Sequence, residues 1–129
     1  MAHWTDNYIG RPYALDTADC ARLYYDVSRE VFGRGIPAVG DIERAASRLG
    51  RTAQMADAVA LYGDPVDSPQ DGDAVLMWCL GRPSHIGVYC LLGEPHVLHA
   101  MENAGHVCLH AIRNLPRLSL RVEGYYRWK

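Results

Sequence analysis

The feature that most constrains this 129-residue chain is a change of hydrophobic period near Asp73. Before it, apolar residues recur at helical spacing. After it they form short apolar runs bounded by turn residues. Cys20, Leu23, Tyr24, Val27 and Val31 share one face of a helix that Asp19 starts and that Gly33 and Gly35 stop near Phe32. A second helix is expected after Asp41, with Ile42, Ala45, Ala46 and Leu49 on one face. Thr52 caps a third, through Met55, Ala56 and Val59, which stops near Gly63-Asp64-Pro65. Trp4 to Ile9 suits a short helix that Gly10-Arg11-Pro12 breaks. A polar link from Asp64 to Gly72 follows the helices. Strands are then expected over Ala74 to Cys79, His85 to Leu92, Val97 to Met101, His106 to Ile112 and, last, near Val122 to Trp128. Helices followed by a run of antiparallel strands predict an α+β fold, its helices packed on one face of a sheet of about five strands.

The length suits one domain over residues 1–129 with a real hydrophobic core. A formal net charge of -2 and 22% charged residues give no basic excess of the kind that nucleic acid attracts. No run approaches the roughly 18 apolar residues that span a membrane. The first residues, Met-Ala-His-Trp-Thr-Asp, lack the basic flank and apolar core of a signal peptide. Synthesis in the cytoplasm without a secretory signal is expected, and a disulfide framework is not. Cys79, Cys90 and Cys108 fall in apolar strands and read as small buried hydrophobes. Cys20 alone lies at a helix start.

That position suits a nucleophile. Thiolate is the reactive form, and a free cysteine with a pKa near ~8.5 holds little of it at neutral pH. The first turn of a helix offers unpaired N–H groups and a partial positive charge, which favour thiolate. A nearby imidazole can take the thiol proton. His85 opens a strand, and its alternation with Gly87 and Tyr89 puts these three on one face, leaving room beside the ring. His99 lies one hairpin later, where it can orient His85 through the other ring nitrogen. The Cys20 backbone N–H is the natural oxyanion donor, and the Tyr13 hydroxyl is a candidate second one. His106, Cys108 and His110 share a strand face, but ligands at i, i+2 and i+4 fan along a strand. A solvated face is expected there, with no metal. Asp71 and Asp73 read as turn residues around Gly72, and the tyrosine pairs as packing.

These strings resemble a known family. Tyr8-Ile9-Gly10-Arg11-Pro12-Tyr13, Asp19-Cys20, Gly72-Asp73-Ala74-Val75-Leu76, His85-Ile86-Gly87-Val88-Tyr89 and Leu98-His99-Ala100 stand in the order found in the NlpC family of papain-like cysteine peptidases. The opening Trp4…Tyr8-Ile9-Gly10, the Phe32-Gly33…Ile36-Pro37 stretch and the closing Tyr126-Arg127-Trp128 look most like phage-tail members. The resemblance spans nearly the whole chain and implies a papain-like NlpC fold. It implies a hydrolase of peptidoglycan stem peptides with Cys20 as nucleophile, His85 as base and His99 as the orienting third group. It further implies that Tyr13 and Asp19 meet the substrate, that no cofactor is needed and that phage tail proteins are partners. An enzyme of that kind acts at the bacterial cell wall, carried by a virion or freed by lysis. Two departures stand beside the nucleophile: Ala21 and Arg22 replace the family's usual Ser-Gly, and Arg22 adds a charge that bears on substrate choice. The loop from Tyr13 to Cys20 also lacks the usual Gly-Gly. A non-cutting tail-tip or wall-binding module, and an acyltransferase or amidase on the same scaffold, are the rival readings.

Overall fold

Leu23 and Tyr24 stand four and three residues before Val27, and all three are buried along helix α1 (Cys20–Glu30) in the computed structural model. The structure describes residues 3–12, 20–34, 63–79, 82–101 and 104–128. The expected helices after Asp41 and Thr52, and the loop from Tyr13 to Asp19, lie outside them. The helix ends where Gly33 takes a left-handed φ of 62° and the Arg34 N–H reaches back to the Ser28 carbonyl at 2.9 Å.

Trp4–Asn7 forms a single 3-10 turn, η1, capped by His3, whose backbone N–H donates to the Asp6 carboxylate at 3.1 Å. Tyr8 then buries its ring and donates its hydroxyl to Glu30 at 3.0 Å, tying this segment to the end of α1. The chain after Tyr8 runs along the sheet: the Gly10 N–H donates to the Val107 carbonyl, and the Val107 N–H to that of Arg11.

Among the described residues, six strands form one sheet: β1 (Gly63–Val66), β2 (Ala74–Cys79), β3 (Arg82–Leu92), β4 (Glu94–Met101), β5 (His106–Ala111) and β6 (Leu120–Trp128). Their order is β1-β6-β2-β3-β4-β5, and every pairing is antiparallel. The α+β expectation therefore holds in its coarse form, while the count of about five strands is corrected to six. The missed strand is Gly63-Asp64-Pro65-Val66, read from its residues as a helix stop and a link. Proline cannot donate to a ladder, but β1 lies at the edge of the sheet, where one missing donor is tolerated.

The pleat divides the core in two. Ile86, Val88, Leu98, Ala100 and Val107 pack with Leu23, Tyr24 and Val27 of α1 on one face. Val75, Met77, Tyr89 and Val97 form the other face, packed with Leu115 and Leu120. Leu115 belongs to η2 (Ile112–Leu118), a 3-10 segment that the sequence reading did not anticipate. It contains Pro116 and ends at Ser119 in the left-handed region, φ 60°. Both sheet faces are thus covered. The tyrosines behave as packing groups: Tyr125 meets Tyr89 edge-on, with ring centroids 5.8 Å apart.

Asp73 is more than a turn residue. Its carboxylate is fully buried, accepts the Gln70 N–H at 2.7 Å and binds two guanidinium nitrogens of Arg127, at 3.2 and 2.9 Å. The entry to β2 is thereby tied to the end of β6. Asp71 too reaches beyond its turn, accepting the N–H of Leu91, the penultimate residue of β3, at 2.8 Å.

Candidate active site

His85, His99 and His110 form a continuous ladder across β3, β4 and β5. His85 Nε2 lies 2.8 Å from His99 Nδ1, and His99 Nε2 lies 2.9 Å from His110 Nδ1. Ring centroids are 5.1 Å apart in both pairs, with interplanar angles of 68° and 71°. His99 is fully buried; His85 and His110 are partly buried.

Strand register explains the spacing. Val97 pairs with His110 and His99 with Cys108, so His99 and His110 are diagonal neighbours. The β3–β4 ladder pairs Val88 with Leu98; one step further, Gly87 faces His99, and His85 is again diagonal to it. Gly87 is required there: a Cβ would stand 2.5 Å from Val97 Cγ2, 2.9 Å from the Leu98 carbonyl oxygen and 3.1 Å from His99 Cβ. The absent side chain lets β3 and β4 approach closely beside the two rings. The sequence expectation that His85 and His99 meet across neighbouring strands is met by this contact.

His110 was expected on a solvated face with His106 and Cys108, and the structure corrects that. Those three side chains do share a strand face, but each turns to a different partner. The His106 ring nitrogen contacts the Ala104 carbonyl at 2.8 Å, Cys108 donates weakly to the His106 carbonyl at 3.5 Å, and His110 joins His99. The missed signal was the β4–β5 register: an alternation count reveals parity, and only the pairing shows which histidine is reached.

Burial sets the protonation of the ladder. It pushes the His85 imidazolium down to about 4, and pushes His110 down as well. His99 lies far below the ordinary histidine value, from burial first and then from the charges His85 and His110 would carry. All three rings therefore rest neutral near pH 7. Above pH 6.5 neither folded nor unfolded chain protonates these rings, and stability is intact. Between 6.5 and about 4 the unfolded chain takes up a proton that the folded His85 refuses, so stability falls with pH. The slope approaches about 1.4 kcal/mol per pH unit per histidine. Urea midpoints measured from pH 7.5 to 4.5 should fall in this window, less steeply in His85→Asn. A midpoint unchanged across it would contradict neutral burial.

The ladder leaves the outer nitrogen of His85 available for chemistry. With Nε2 held by His99, His85 keeps only Nδ1 for another partner, and among the described residues Nδ1 has none. Cys20 is the first residue of α1, as expected, and its side chain lies outside the described set, as do Tyr13 and Asp19. Helix α1 packs on the Ile86–Val88 face, whereas the ladder shares the face of Tyr89 and Val97. Arg22 pairs with Asp26 at 3.2 Å, one helical turn on, and sits over the Tyr25 ring at 5.7 Å. Its charge is thus shared along the helix.

A second group of ligand-type residues lies near the N-terminal segment. His3, Asp71 and Cys90 have donor atoms within 4.8 Å of one another. The Cys90 sulfur, however, is 4.0 Å from His3 Nδ1 and 3.9 Å from Nε2. An atom equidistant from both ring nitrogens lies in line with neither lone pair, so a cation would need the ring to turn. Burial, reinforced by Asp71, pushes the Cys90 thiol up to about 12, as suits a core cysteine. Comparison with protein-family profiles, curated proteins and solved structures finds no match to this chain.

Proposed function

We propose that this protein is a thiol hydrolase of the NlpC kind that cuts amide bonds in the stem peptides of peptidoglycan. The observation that carries the reading is the 2.8 Å contact from His85 Nε2 to His99, which leaves Nδ1 as the free base atom. In this reading Cys20 attacks the amide carbonyl. His85 takes the thiol proton on Nδ1 and returns it to the leaving amine, and water then frees the acyl-enzyme. His99 holds the base ring. Because burial disfavours imidazolium at His85, its ring is neutral near pH 7 and able to take the thiol proton. The Cys20 backbone N–H, and the Tyr13 hydroxyl, receive the oxyanion. Asp19 meets the substrate amino group, and Arg22 lies beside the cleft. The favoured bond joins γ-D-glutamate to a diamino acid, and the setting is a phage or prophage tail acting at the cell wall. The papain-like arrangement of the sheet and helices belongs to the same reading. No helix among the described residues is long and apolar enough to cross a membrane.

Iodoacetamide provides a first test. At neutral pH it should modify Cys20 first and Cys90 at least about 100-fold more slowly, because Cys90 carries almost no thiolate. Cys108, also raised by burial, should be slow as well. Equal labelling of Cys20 and Cys90 would count against an activated nucleophile.

One observation favours a second reading. The ladder and α1 occupy opposite faces of β3 and β4. If Cys20 does not reach His85, the same scaffold serves as a wall-binding or tail-assembly module that does not cut.

A further inference from the structure

His99 is fully buried, and both of its ring nitrogens are engaged by other imidazoles. A neutral imidazole has one N–H and one acceptor nitrogen, and each nitrogen–nitrogen contact holds one proton. The two contacts are therefore coupled: fixing the proton in one fixes it in the other. Only two neutral arrangements satisfy the ladder. In the outward one, His85 Nε2–H donates to His99 Nδ1, and His99 Nε2–H donates to His110 Nδ1. In the inward one, all three rings carry their proton on Nδ1. The outward arrangement uses the Nε2–H form of every ring, the form a free histidine side chain prefers. It also points the last N–H, on His110 Nε2, away from His99. The other histidines form a contrast: His96 and His106 place Nδ1 2.8 Å from backbone carbonyls of Glu94 and Ala104, which can only accept, so those rings carry Nδ1–H.

We infer that His110 is a positioning residue: as proton acceptor at the outer end of the ladder, it sets the tautomer of His99 and, through it, holds His85 with Nδ1 unprotonated. Without His110, the buried His99 Nε2–H would lose its partner among the described residues, and the tautomer of His99 would no longer be determined from outside. The catalytic consequence rests on the proposal that His85 is the base; the tautomer order does not. When a thiol proton reaches His85 Nδ1, the Nε2–H remains directed at His99, so the ring need not reorient.

The test uses long-range proton–nitrogen NMR spectra of the histidine rings in the wild-type protein and two variants. His110→Asn places a side-chain oxygen near the former Nδ1 and keeps an acceptor. His110→Leu removes it. Wild type and His110→Asn should show His85 and His99 as Nε2–H, and His110→Leu should show mixed or reversed forms. With a stem-peptide substrate, kcat should fall about 10-fold in His110→Leu with KM little changed, and should recover to within about 3-fold in His110→Asn. Nδ1–H at His85 in the wild type, or unaltered tautomers in His110→Leu, would overturn the inference. A wild type with the expected tautomers but no peptidase activity would leave it standing and remove the peptidase reading instead.

Discussion

Replacing Cys20 by alanine is expected to abolish release of fragments from purified peptidoglycan, a loss of at least about 10⁴-fold in kcat. No other described thiol can substitute. Cys90 is buried with its thiol pushed up to about 12, and Cys108 lies on β5 with its thiol also raised. Without the thiol, His85 Nδ1 has no nucleophile to deprotonate, and the remaining oxyanion donors give only a small residual rate. Alanine is the best helix former, so the start of α1 should survive the change. Mass spectrometry of muropeptides after digestion by wild type and Cys20→Ala reads the outcome directly. Unchanged cleavage by the variant would end the thiol-hydrolase reading. Binding without cleavage by both forms would favour the wall-binding module, and transfer of the acyl group to an added amine would favour the acyltransferase.

The largest effect on stability is expected at Asp73. Its buried carboxylate joins the Gln70 N–H before β2 to the Arg127 guanidinium on β6. Asp73→Ala leaves the Gln70 N–H without its acceptor and the Arg127 guanidinium without its counter-charge, while β1 and β6 lose an anchor to the entry of β2. Tm should fall by about 10 °C in a domain of this size. Asp73→Asn keeps the shape and one acceptor and should lose less. A thermal melt of Asp73→Ala within about 2 °C of wild type would show that the pair is replaceable.

The contrast between Asp73 and His99 explains how much was legible in the residues. Asp73 stands beside Gly72 in a string typical of turns, and nothing local hints that Arg127, fifty-four residues away, closes over it. His85 and His99 were legible as a pair because one short hairpin separates them, and because Gly87, alternating with His85, signals close approach. Their diagonal geometry was not, since hydrophobic alternation reveals which face a residue takes and leaves the register open. His110 was misjudged for the same reason. Strand β1 was hidden because Gly63, Asp64 and Pro65 carry strong turn preferences that an edge position overrides.

By itself, the sequence determined the period change near Asp73, the start of α1 at Cys20, its buried face, five of the strands to within a few residues and the β3–β4 histidine pair. These depend on local spacing, because a helix or strand must bury whichever side its apolar residues occupy. The tertiary structure alone decided the strand order, the edge strand, η2 on the second face and the inclusion of His110 in the ladder. It also decided that α1 and the histidines lie on opposite faces of the same two strands. Those outcomes depend on pairings between distant segments, whose energies arise only when the sheet closes its register and each buried polar group must find a partner.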